Sequence, residues 1–260
     1  MDSLNIVVAQ NPAELDGPQA RFDWLEKQLQ DSQAWGADLL VLPELFLTGY
    51  NIGTNVNQWC EAKDGPYARK ISVLCKAHKI AIHYGYAEHS SGKTYNSANC
   101  FGSKGERLGG HQKLLLPPGF ESDYFATGNH CEVFTLNGFK IATLICYDCE
   151  FPENFRHAVR LGAELVLVPT ALDENWGIVA HKLIPVRAFE NGVYVCYVNQ
   201  SGVEHGMKYL GHSCIVGPNG HDIARAGPKP EILQASLTKH SLQVARDRLP
   251  YLQDAKTLPW

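Results

Sequence analysis

Three residues of this chain carry side chains that together could form and break an acyl bond. Glu44 follows the apolar run in "ADLLVLPEL", Lys113 lies in "HQKLL", and Cys146 ends the apolar part of "LICYDCEFPEN". A cysteine thiolate is a nucleophile, and a carboxylate can take the thiol proton and later return it to a leaving amine. A lysine can stabilise the oxyanion of a tetrahedral intermediate. Together these residue types indicate acyl transfer through a thioester.

The residue types alone leave other interpretations open. Pro-Glu after a strand is a common junction, a lysine at a strand end is often solvated, and a cysteine is often only packed in the core. Cys146 and Cys149 also form a C-x-x-C pair, which allows a thiol redox or regulatory protein instead. We expect no metal site, because two further cysteines at metal spacing and an H-E-x-x-H motif are absent from the sequence.

An internal repeat suggests how the elements position these residues. "GADLLVLPEL" at 36–45 and "GAELVLVPTA" at 162–171 both place an apolar run between a predicted helix and a polar residue. We interpret the repeat as a two-fold relation between two halves, although this pattern is also a common helix-to-strand junction. Ligands gather at the carboxyl ends of strands in sheets that helices cover. We therefore expect Glu44 and Cys146 to face one another across a cleft.

Apolar periodicity predicts an alternation of helices and strands along the whole chain. Helices are expected at 18–35, 66–79, 152–161 and 177–190. Strands are expected at 5–10, in the run before Glu44, in a meander over about 80–115, in the run before Cys146, in the 162–171 repeat, and at 192–199, 211–216, 221–226 and 231–236. The tail 241–260 has no clear pattern. The order indicates a mixed α/β fold with helices outside two sheets.

Composition narrows the class of protein. The 260 residues are 45% hydrophobic and carry a formal charge of −4, with no composition break, so we expect one domain with a sizeable core. No basic stripe or long apolar run is present, so neither nucleic acid nor a membrane is an expected partner. Eight irregularly spaced cysteines and no secretion signal favour reduced thiols in the cytoplasm.

Three segments resemble the catalytic motifs of one enzyme family. "LPELFLTGY" at 42–50, "HQKLLLP" at 111–117 and "LICYDCEFPE" at 144–153 are similar to those of the nitrilase superfamily, the carbon-nitrogen hydrolases. The resemblance covers residues 4–236. It implies a single carbon-nitrogen hydrolase domain over 1–260, folded as a four-layer α-β-β-α sandwich. It also implies no cofactor and a homodimer or higher homo-oligomer. The tail 241–260 is expected either at the dimer interface or packed along the surface.

The resemblance also implies a role for each residue of a Glu-Lys-Cys triad. Glu44 is expected to act as general base and acid, Lys113 to stabilise the oxyanion, and Cys146 to attack. The backbone N–H of Tyr147 would complete the oxyanion hole. Family members often carry a second glutamate after the lysine, and in "KLLLPPGFESDYFATG" we assign it to Glu121, with Asp123 as the rival.

Other residues are expected to line the substrate pocket or to have structural roles. The predicted pocket residues are Tyr50, Tyr147, Glu150, Thr170 and Trp176. Asp173 and Glu174 are candidates for binding a substrate ammonium group, although a solvated loop acid is the alternative. Cys149 and four histidines, at 83, 111, 181 and 212, are expected to be structural.

Within the superfamily, "LFLTGYNIG" and "ICYDCEFPEN" look closest to amidases that hydrolyse short aliphatic amides, such as 5-aminopentanamidase and R-stereoselective amidase. The expected reaction yields a carboxylic acid and ammonia, and the substrate class includes ω-amino amides. A nitrilase or an N-carbamoyl amide hydrolase would use the same triad, so the triad alone does not choose among them.

Overall fold

The structure is a computed structural model, and it describes residues 2–30 and 35–259. Its helices and strands alternate along the chain. The helices are α1 (Gly17–Gln30), α2 (Val56–Trp59), α3 (Pro66–His78), α4 (Phe120–Tyr124), α5 (Pro152–Arg160), α6 (Ile184–Asn191), α7 (Lys239–Arg248) and α8 (Tyr251–Asp254).

The strands of the first half of the chain are β1 (Ser3–Gln10), β2 (Leu39–Val41), β3 (Ala81–Ser90), β4 (Lys93–Phe101) and β5 (Arg107–Gln112). Those of the second half are β6 (Val133–Leu136), β7 (Phe139–Thr143), β8 (Leu165–Pro169), β9 (Tyr194–Val198), β10 (Ser201–Glu204), β11 (Met207–Leu210), β12 (Cys214–Val216), β13 (Asp222–Arg225) and β14 (Glu231–Thr238).

In the described residues, these strands form two six-stranded sheets and one hairpin. The first sheet has the order β14-β1-β2-β3-β4-β5, and the second has the order β13-β12-β9-β8-β7-β6. The three strands β1, β2 and β3 are parallel, as are β7, β8 and β9, and their neighbours are antiparallel. Each half thus contains a β-α-β-α-β unit followed by antiparallel strands, in agreement with the predicted two-fold relation.

Alternate residues of the central strands pack on opposite sides of each sheet, as the two-residue period of a strand requires. Ile6 and Leu165 lie in the cluster between the two sheets, whereas Val7 and Val166 pack toward the helices. Because both faces are covered, β2 and β8 are buried along their whole length. The prediction of an α-β-β-α sandwich is therefore confirmed.

Several predicted elements differ from the structure. The predicted helix 18–35 is helical over Gly17–Gln30, and residues 31–34 lie outside the described residues. The predicted helix 177–190 begins with a π turn at Val179–Leu183. Pro185, in the first turn of α6, has no N–H to give to the carbonyl four residues earlier, and its ring crowds that carbonyl, which accounts for the wider turn.

Several described elements have no counterpart in the prediction, namely α2, α4, β6, the β10–β11 hairpin and the two tail helices. The β10–β11 hairpin lies between the predicted strands 192–199 and 211–216, where the sequence predicts no element. The tail, which shows no clear apolar pattern, forms α7 and α8 over much of its length. In α7 only Leu242 is buried, so the sequence has no apolar stripe that would have indicated the helix.

Candidate active site

Glu44 is held in a tight turn beyond β2 that requires glycine in the neighbouring strand. Gly85 in β3 donates to the carbonyl of Pro43 at 3.1 Å and accepts from the N–H of Leu47 at 3.0 Å. A Cβ atom at Gly85 would lie 2.4 Å from the nitrogen of Leu45 and 2.5 Å from the Pro43 carbonyl oxygen. Only a residue without a side chain allows the turn to approach this closely.

Lys113 lies at the centre of a buried cluster with Glu44 and Glu121. Its Nζ lies 2.6 Å from Oε1 of Glu44 and 2.6 Å from Oε1 of Glu121. Asn96 in β4 donates to both carboxylates, at 2.7 Å to Glu44 and 3.1 Å to Glu121. The lysine is fully buried, and the two glutamates are almost equally so. The structure thus brings three of the four predicted catalytic side chains into contact.

The electrostatics of the cluster favour a charged lysine and a basic Glu44. Burial disfavours a charged lysine, but the Glu44 and Glu121 carboxylates outweigh burial and raise the pKa of Lys113. Burial raises the pKa of Glu44 to about 7, with the charge of Glu121 adding to the rise and Lys113 opposing it. A carboxyl group with this pKa exchanges protons near neutral pH, as a general base and acid must.

Cys146 begins a 3₁₀ helix, Cys146–Glu150, just beyond β7, and its backbone has a φ of +44°. A positive φ is uncommon for a residue with a side chain and is typical of constrained functional positions. The hydroxyl of Thr170 donates to Sγ at 2.8 Å. Burial, together with the charges of Glu44 and Glu121, raises the pKa of Cys146, so the resting side chain is a thiol.

Asp148 ties the chain beside Cys146 to the chain beside Lys113. Its Oδ1 accepts from the backbone N–H groups of Leu114 at 3.0 Å and Leu115 at 2.9 Å. Its Oδ2 accepts from the N–H of Ile145 at 3.1 Å and lies 3.0 Å from Nε2 of His111. One fully buried carboxylate therefore fixes the two strand ends relative to each other across the two sheets.

A cavity of about 380 Å³ opens onto Cys146. Its lining includes five predicted site residues, namely Tyr50, Glu121, Tyr147, Glu150 and Trp176, along with Asp173. The rest of the lining is Pro117, Pro118, Ala171, Leu172 and Met207. Glu174, in contrast, does not line the cavity and pairs with Lys208 at 2.5 Å. Thr170 is not part of the lining and contacts Sγ of Cys146 instead.

Tyr50 joins the cavity to the cluster, and a buried ion pair holds its loop. The Tyr50 hydroxyl donates to Oε1 of Glu121 at 2.8 Å. The Glu204 carboxylate accepts from the backbone N–H groups of Tyr50 at 3.0 Å and Asn51 at 2.7 Å, and pairs with Arg21 at 2.7 Å. Arg21 is fully buried and also donates to the Phe46 carbonyl at 3.3 Å, two residues beyond Glu44.

The sequence offers two alternative assignments, Asp123 as the second carboxylate and Cys149 as half of a redox pair. Asp123 is exposed on α4 and makes no contact with the lysine cluster, whereas Glu121 on the same short helix points into it. Cys149 is buried in the core that packs under α5, and all eight cysteines are free thiols. Burial raises the pKa of Cys149 well above its usual range, so it is a poor partner for a redox pair.

The sequence reasoning missed several residues that hold the site. They are Arg21, Gly85, Asn96, Asp148 and Glu204. Asp148 lies inside the motif "LICYDCEFPE", and its position two residues after Cys146 is the one signal that could have identified it. His111, expected to be structural, is the side chain that pairs with Asp148.

The described residues contain neither a metal-binding cluster nor a membrane-spanning helix. In residues 2–30 and 35–259, no three histidine, cysteine or acidic side chains converge in a way that would hold a metal ion. None of the helices in those ranges is both long enough and apolar enough to cross a membrane.

Comparison with known proteins places this arrangement in a family. A hydrolase from the pqqF 5' region of Pseudomonas protegens is 41% identical over 227 residues, which are 86% of this chain and 80% of the relative. An (R)-stereoselective amidase from a Pseudomonas species is 31% identical over 226 residues, 86% of this chain and 82% of the relative.

Solved structures resemble the chain over nearly its whole length. The crystal structure of an amidase from Nesterenkonia sp. has a TM-score of 0.85 and 32% identity, with 95% of this chain and 97% of that chain covered. A glutamate-to-glutamine variant of the amidase from Nesterenkonia sp. AN1 carries the acetamide moiety of fluoroacetamide at its active-site cysteine. The carbon-nitrogen hydrolase family model matches residues 8–247. The chain therefore belongs to the carbon-nitrogen hydrolases of the nitrilase superfamily and is an enzyme that cleaves carbon–nitrogen bonds.

Proposed function

We propose that this enzyme is an amidase that hydrolyses small aliphatic amides to a carboxylic acid and ammonia through a thioester on Cys146. The observation that carries the proposal is the position of Cys146 at a cavity of about 380 Å³, with the buried Glu44–Lys113–Glu121 cluster electrostatically coupled to it. The amidases among the similar proteins support the same reaction class.

The first step transfers the thiol proton of Cys146 to Glu44 as Sγ attacks the amide carbonyl. Oε2 of Glu44 has no hydrogen-bond partner within the described chain, so it is available to take the proton. The carbonyl oxygen becomes an oxyanion between Nζ of Lys113 and the backbone N–H of Tyr147. That N–H lies in the first turn of a 3₁₀ helix, where backbone N–H groups lack intrahelical partners.

The second half of the reaction reverses the proton movement. Glu44 gives its proton to the leaving nitrogen, the carbon–nitrogen bond breaks, and ammonia departs. Glu44 then takes a proton from a water molecule that attacks the thioester carbonyl, and the proton returns to Sγ as the acid leaves. A carboxyl pKa of about 7 suits both directions of this transfer.

We propose that Glu121 orients both Lys113 and the substrate. It accepts from both Lys113 and Tyr50 through Oε1, and it is part of the cavity lining. Its charge keeps Lys113 protonated in a buried site, where a lysine alone would tend to lose its proton.

The cavity lining favours a neutral or cationic substrate tail. Leu172, Met207 and Trp176 provide apolar contact for an aliphatic chain, and Trp176 stays 61% exposed at the cavity mouth. The charged residues in the lining are Glu121, Glu150 and Asp173, all acidic. Because Lys113 already pairs with Glu121, the remaining acids provide a negative field that suits an ω-ammonium group and repels a carboxylate.

A panel of substrates of equal chain length tests the reaction and the tail preference together. Ammonia release is measured from a neutral aliphatic amide, an ω-amino amide, an ω-carboxy amide, the matching nitrile and an N-carbamoyl amine. We expect turnover of the first two and at least a tenfold lower kcat/KM for the carboxylate. Release from the nitrile or the carbamoyl compound but not from amides would contradict the proposal and establish one of those alternatives.

Two cysteine variants separate the thioester mechanism from a redox role. Cys146→Ala is expected to abolish ammonia release, whereas Cys149→Ser is expected to retain an intact nucleophile and most of the activity. Mass spectrometry of the wild-type enzyme, quenched in acid during turnover of an amide, should find the acyl group on Cys146. Equal loss in both cysteine variants, with a disulfide in the wild type, would support the redox alternative instead.

We further propose that the enzyme works as a homodimer in the cytoplasm. Free thiols at all eight cysteines suit a reducing compartment. Exposed apolar side chains on the tail, including Val244, Leu249 and Tyr251, suit a contact with a second copy. Light scattering on the wild type and on Val244→Lys measures the mass. A monomer of 28.8 kDa for the wild type at micromolar concentration would contradict the dimer.

A further inference from the structure

Thr170 contacts the reacting sulfur but does not line the cavity. It directly follows β8, its side chain is fully buried, and its hydroxyl donates to Sγ of Cys146 at 2.8 Å. Its backbone N–H donates to the carbonyl of Val198 at 2.8 Å, which fixes the residue against β9. The expectation that Thr170 contacts the substrate therefore does not fit its position, and its hydroxyl is better placed to act on the nucleophile.

The two-fold relation between the halves gives this position a counterpart. An offset of 126 residues superposes the sequence repeat at 36–45 on that at 162–171, and it pairs Glu44 with Thr170. Both residues follow the central parallel strand of their sheets, β2 and β8. The cluster that holds Glu44 comes from the first half of the chain, whereas Cys146 and Thr170 both come from the second.

The surroundings of the sulfur create a need for such a donor. Burial and the negative charges of Glu44 and Glu121 all disfavour a thiolate at Cys146, while Lys113 and the Thr170 hydroxyl favour it. The charge of Lys113 is shared with two carboxylates, each 2.6 Å from Nζ. A neutral hydroxyl in direct contact with Sγ stabilises negative charge at that atom without attracting the carboxylates.

We propose that Thr170 is a catalytic residue that stabilises the Cys146 thiolate by hydrogen bonding. When Glu44 takes the thiol proton, the hydroxyl of Thr170 keeps its own proton and donates a hydrogen bond to the negatively charged Sγ. The bond weakens as Sγ shares its electron pair with the carbonyl carbon, and it strengthens again when the thioester breaks. The role rests on the proposed function only in taking Cys146 as the nucleophile.

Alkylation of Cys146 by iodoacetamide tests this role without amide turnover. Peptide mass spectrometry follows modification of Cys146 separately from that of the other cysteines, over a range of pH. Thr170→Val removes the hydroxyl with little change in shape. We expect it to slow alkylation at pH 7 about ten- to a hundredfold, as for loss of one hydrogen bond to a charged group, and to move the pH midpoint up by about one unit or more. Thr170→Ser should stay within about threefold of the wild type.

A second buried threonine provides the matched control. The hydroxyl of Thr143 lies 3.0 Å from Nε2 of His83 and makes no bond to Sγ, so Thr143→Val removes a buried hydroxyl of the same kind. Its alkylation rate should stay within about threefold of the wild type. If Thr170→Val does not fold, as judged by circular dichroism, Thr170→Ala replaces it in the comparison.

Three results would overturn the proposal. They are an unchanged rate and pH midpoint in Thr170→Val, a loss in Thr170→Ser as large as that in Thr170→Val, and an equal loss in Thr143→Val. Since iodoacetamide reacts with the thiolate directly, the outcome is separate from that of the amide panel. If no amide in the panel is hydrolysed, an altered alkylation profile in Thr170→Val still supports the role of Thr170.

Discussion

Glu44 and Lys113 are joined through a single carboxylate oxygen. Nζ of Lys113 lies 2.6 Å from Oε1 of Glu44, while Oε2 of the same carboxylate has no partner in the part of the chain that the structure describes. The cluster therefore separates two tasks within one side chain. Oε1 holds the cation in place, and Oε2 remains available for the proton of the nucleophile.

The pH dependence of the reaction should report this proton acceptor. Since burial raises the pKa of Glu44 to about 7, a deprotonated Glu44 becomes scarce as the pH falls below that value. We expect kcat/KM to rise with pH, with an ascending limb centred near 7 that belongs to the coupled cluster as a whole. Stopped assays of ammonia from pH 5 to 9 measure the limb, and a midpoint below about 5 would contradict this assignment.

The two acids on α4 should differ sharply in their effects. Glu121→Gln leaves an oxygen for Tyr50 but removes half of the negative charge around Lys113. We expect kcat to fall about ten- to a hundredfold, less than the 10²–10³-fold typical of losing an oxyanion donor outright. Asp123→Asn on the exposed face is the matched control and should stay within about twofold. Equal effects of the two variants would argue against Glu121 as the positioning carboxylate.

Asp148 should influence both stability and the reactivity of the nucleophile. Asp148→Asn replaces one acceptor oxygen by a donor, so the N–H of Ile145 loses its partner and the contact with His111 must rearrange. We expect a loss of about 2–4 kcal/mol in the free energy of unfolding, given about 1–3 kcal/mol for each buried group left unpaired. Urea titration measures the stability change. Cys146 alkylation should also slow, because the strand ends lose their common anchor.

Asp38→Asn is the control for that experiment. Asp38 also accepts a backbone N–H bond, from Asn5 at 2.8 Å, but at a site far from the nucleophile. It should alter stability by less than Asp148→Asn and leave alkylation unchanged. Normal alkylation in a folded Asp148→Asn variant would show that the carboxylate serves the fold alone.

The buried ion pair between Arg21, from the first half of the chain, and Glu204, from the second, should hold the Tyr50 loop in position. Glu204→Gln leaves the Arg21 charge uncompensated in a site without solvent, which typically costs about 3–5 kcal/mol. The double variant Arg21→Met with Glu204→Gln should recover much of the stability, because both charges are gone. It should not recover kcat, because the Tyr50 loop still lacks its carboxylate acceptor.

An exposed ion pair offers the comparison for Arg21 and Glu204. Glu174 and Lys208 pair at the surface, and Glu174→Gln should change the unfolding free energy by less than about 1 kcal/mol. Thermal melts and amide kinetics on the same preparations measure both quantities. Full recovery of kcat in the double variant would contradict a positioning role for the pair.

Much of the order of elements, and the placement of Glu44, Lys113 and Cys146 near strand ends, could be predicted because they rest on local pattern. The apolar runs of β2 and β8 end at prolines and predict buried strands, and the three motifs place Glu44, Lys113 and Cys146 at the ends of strands. Each of these features can be read within a window of about ten residues. For Glu121 the family resemblance leaves Asp123 as a rival, and the geometry of α4 separates the two.

The supporting residues could not be predicted, because their partners are distant in sequence. Arg21 lies on α1 between Ala20 and Phe22, and its main partner for burial is Glu204, 183 residues away. The β10–β11 hairpin turns at His205 and Gly206, both with positive φ, and lacks the Asn-Gly or Asp-Gly pair that commonly marks such a turn. A long-range charge pair and an atypical turn leave no periodic signal.

The division of the site between the two halves has a consequence for the newly made chain. Cys146 and Thr170 emerge with the second half, while Glu44, Lys113 and Glu121 belong to the first. A chain whose two sheets have not yet packed together therefore presents an ordinary thiol, distant from its base and its cation. Cys146 therefore meets Glu44 and Lys113 only when the two halves dock.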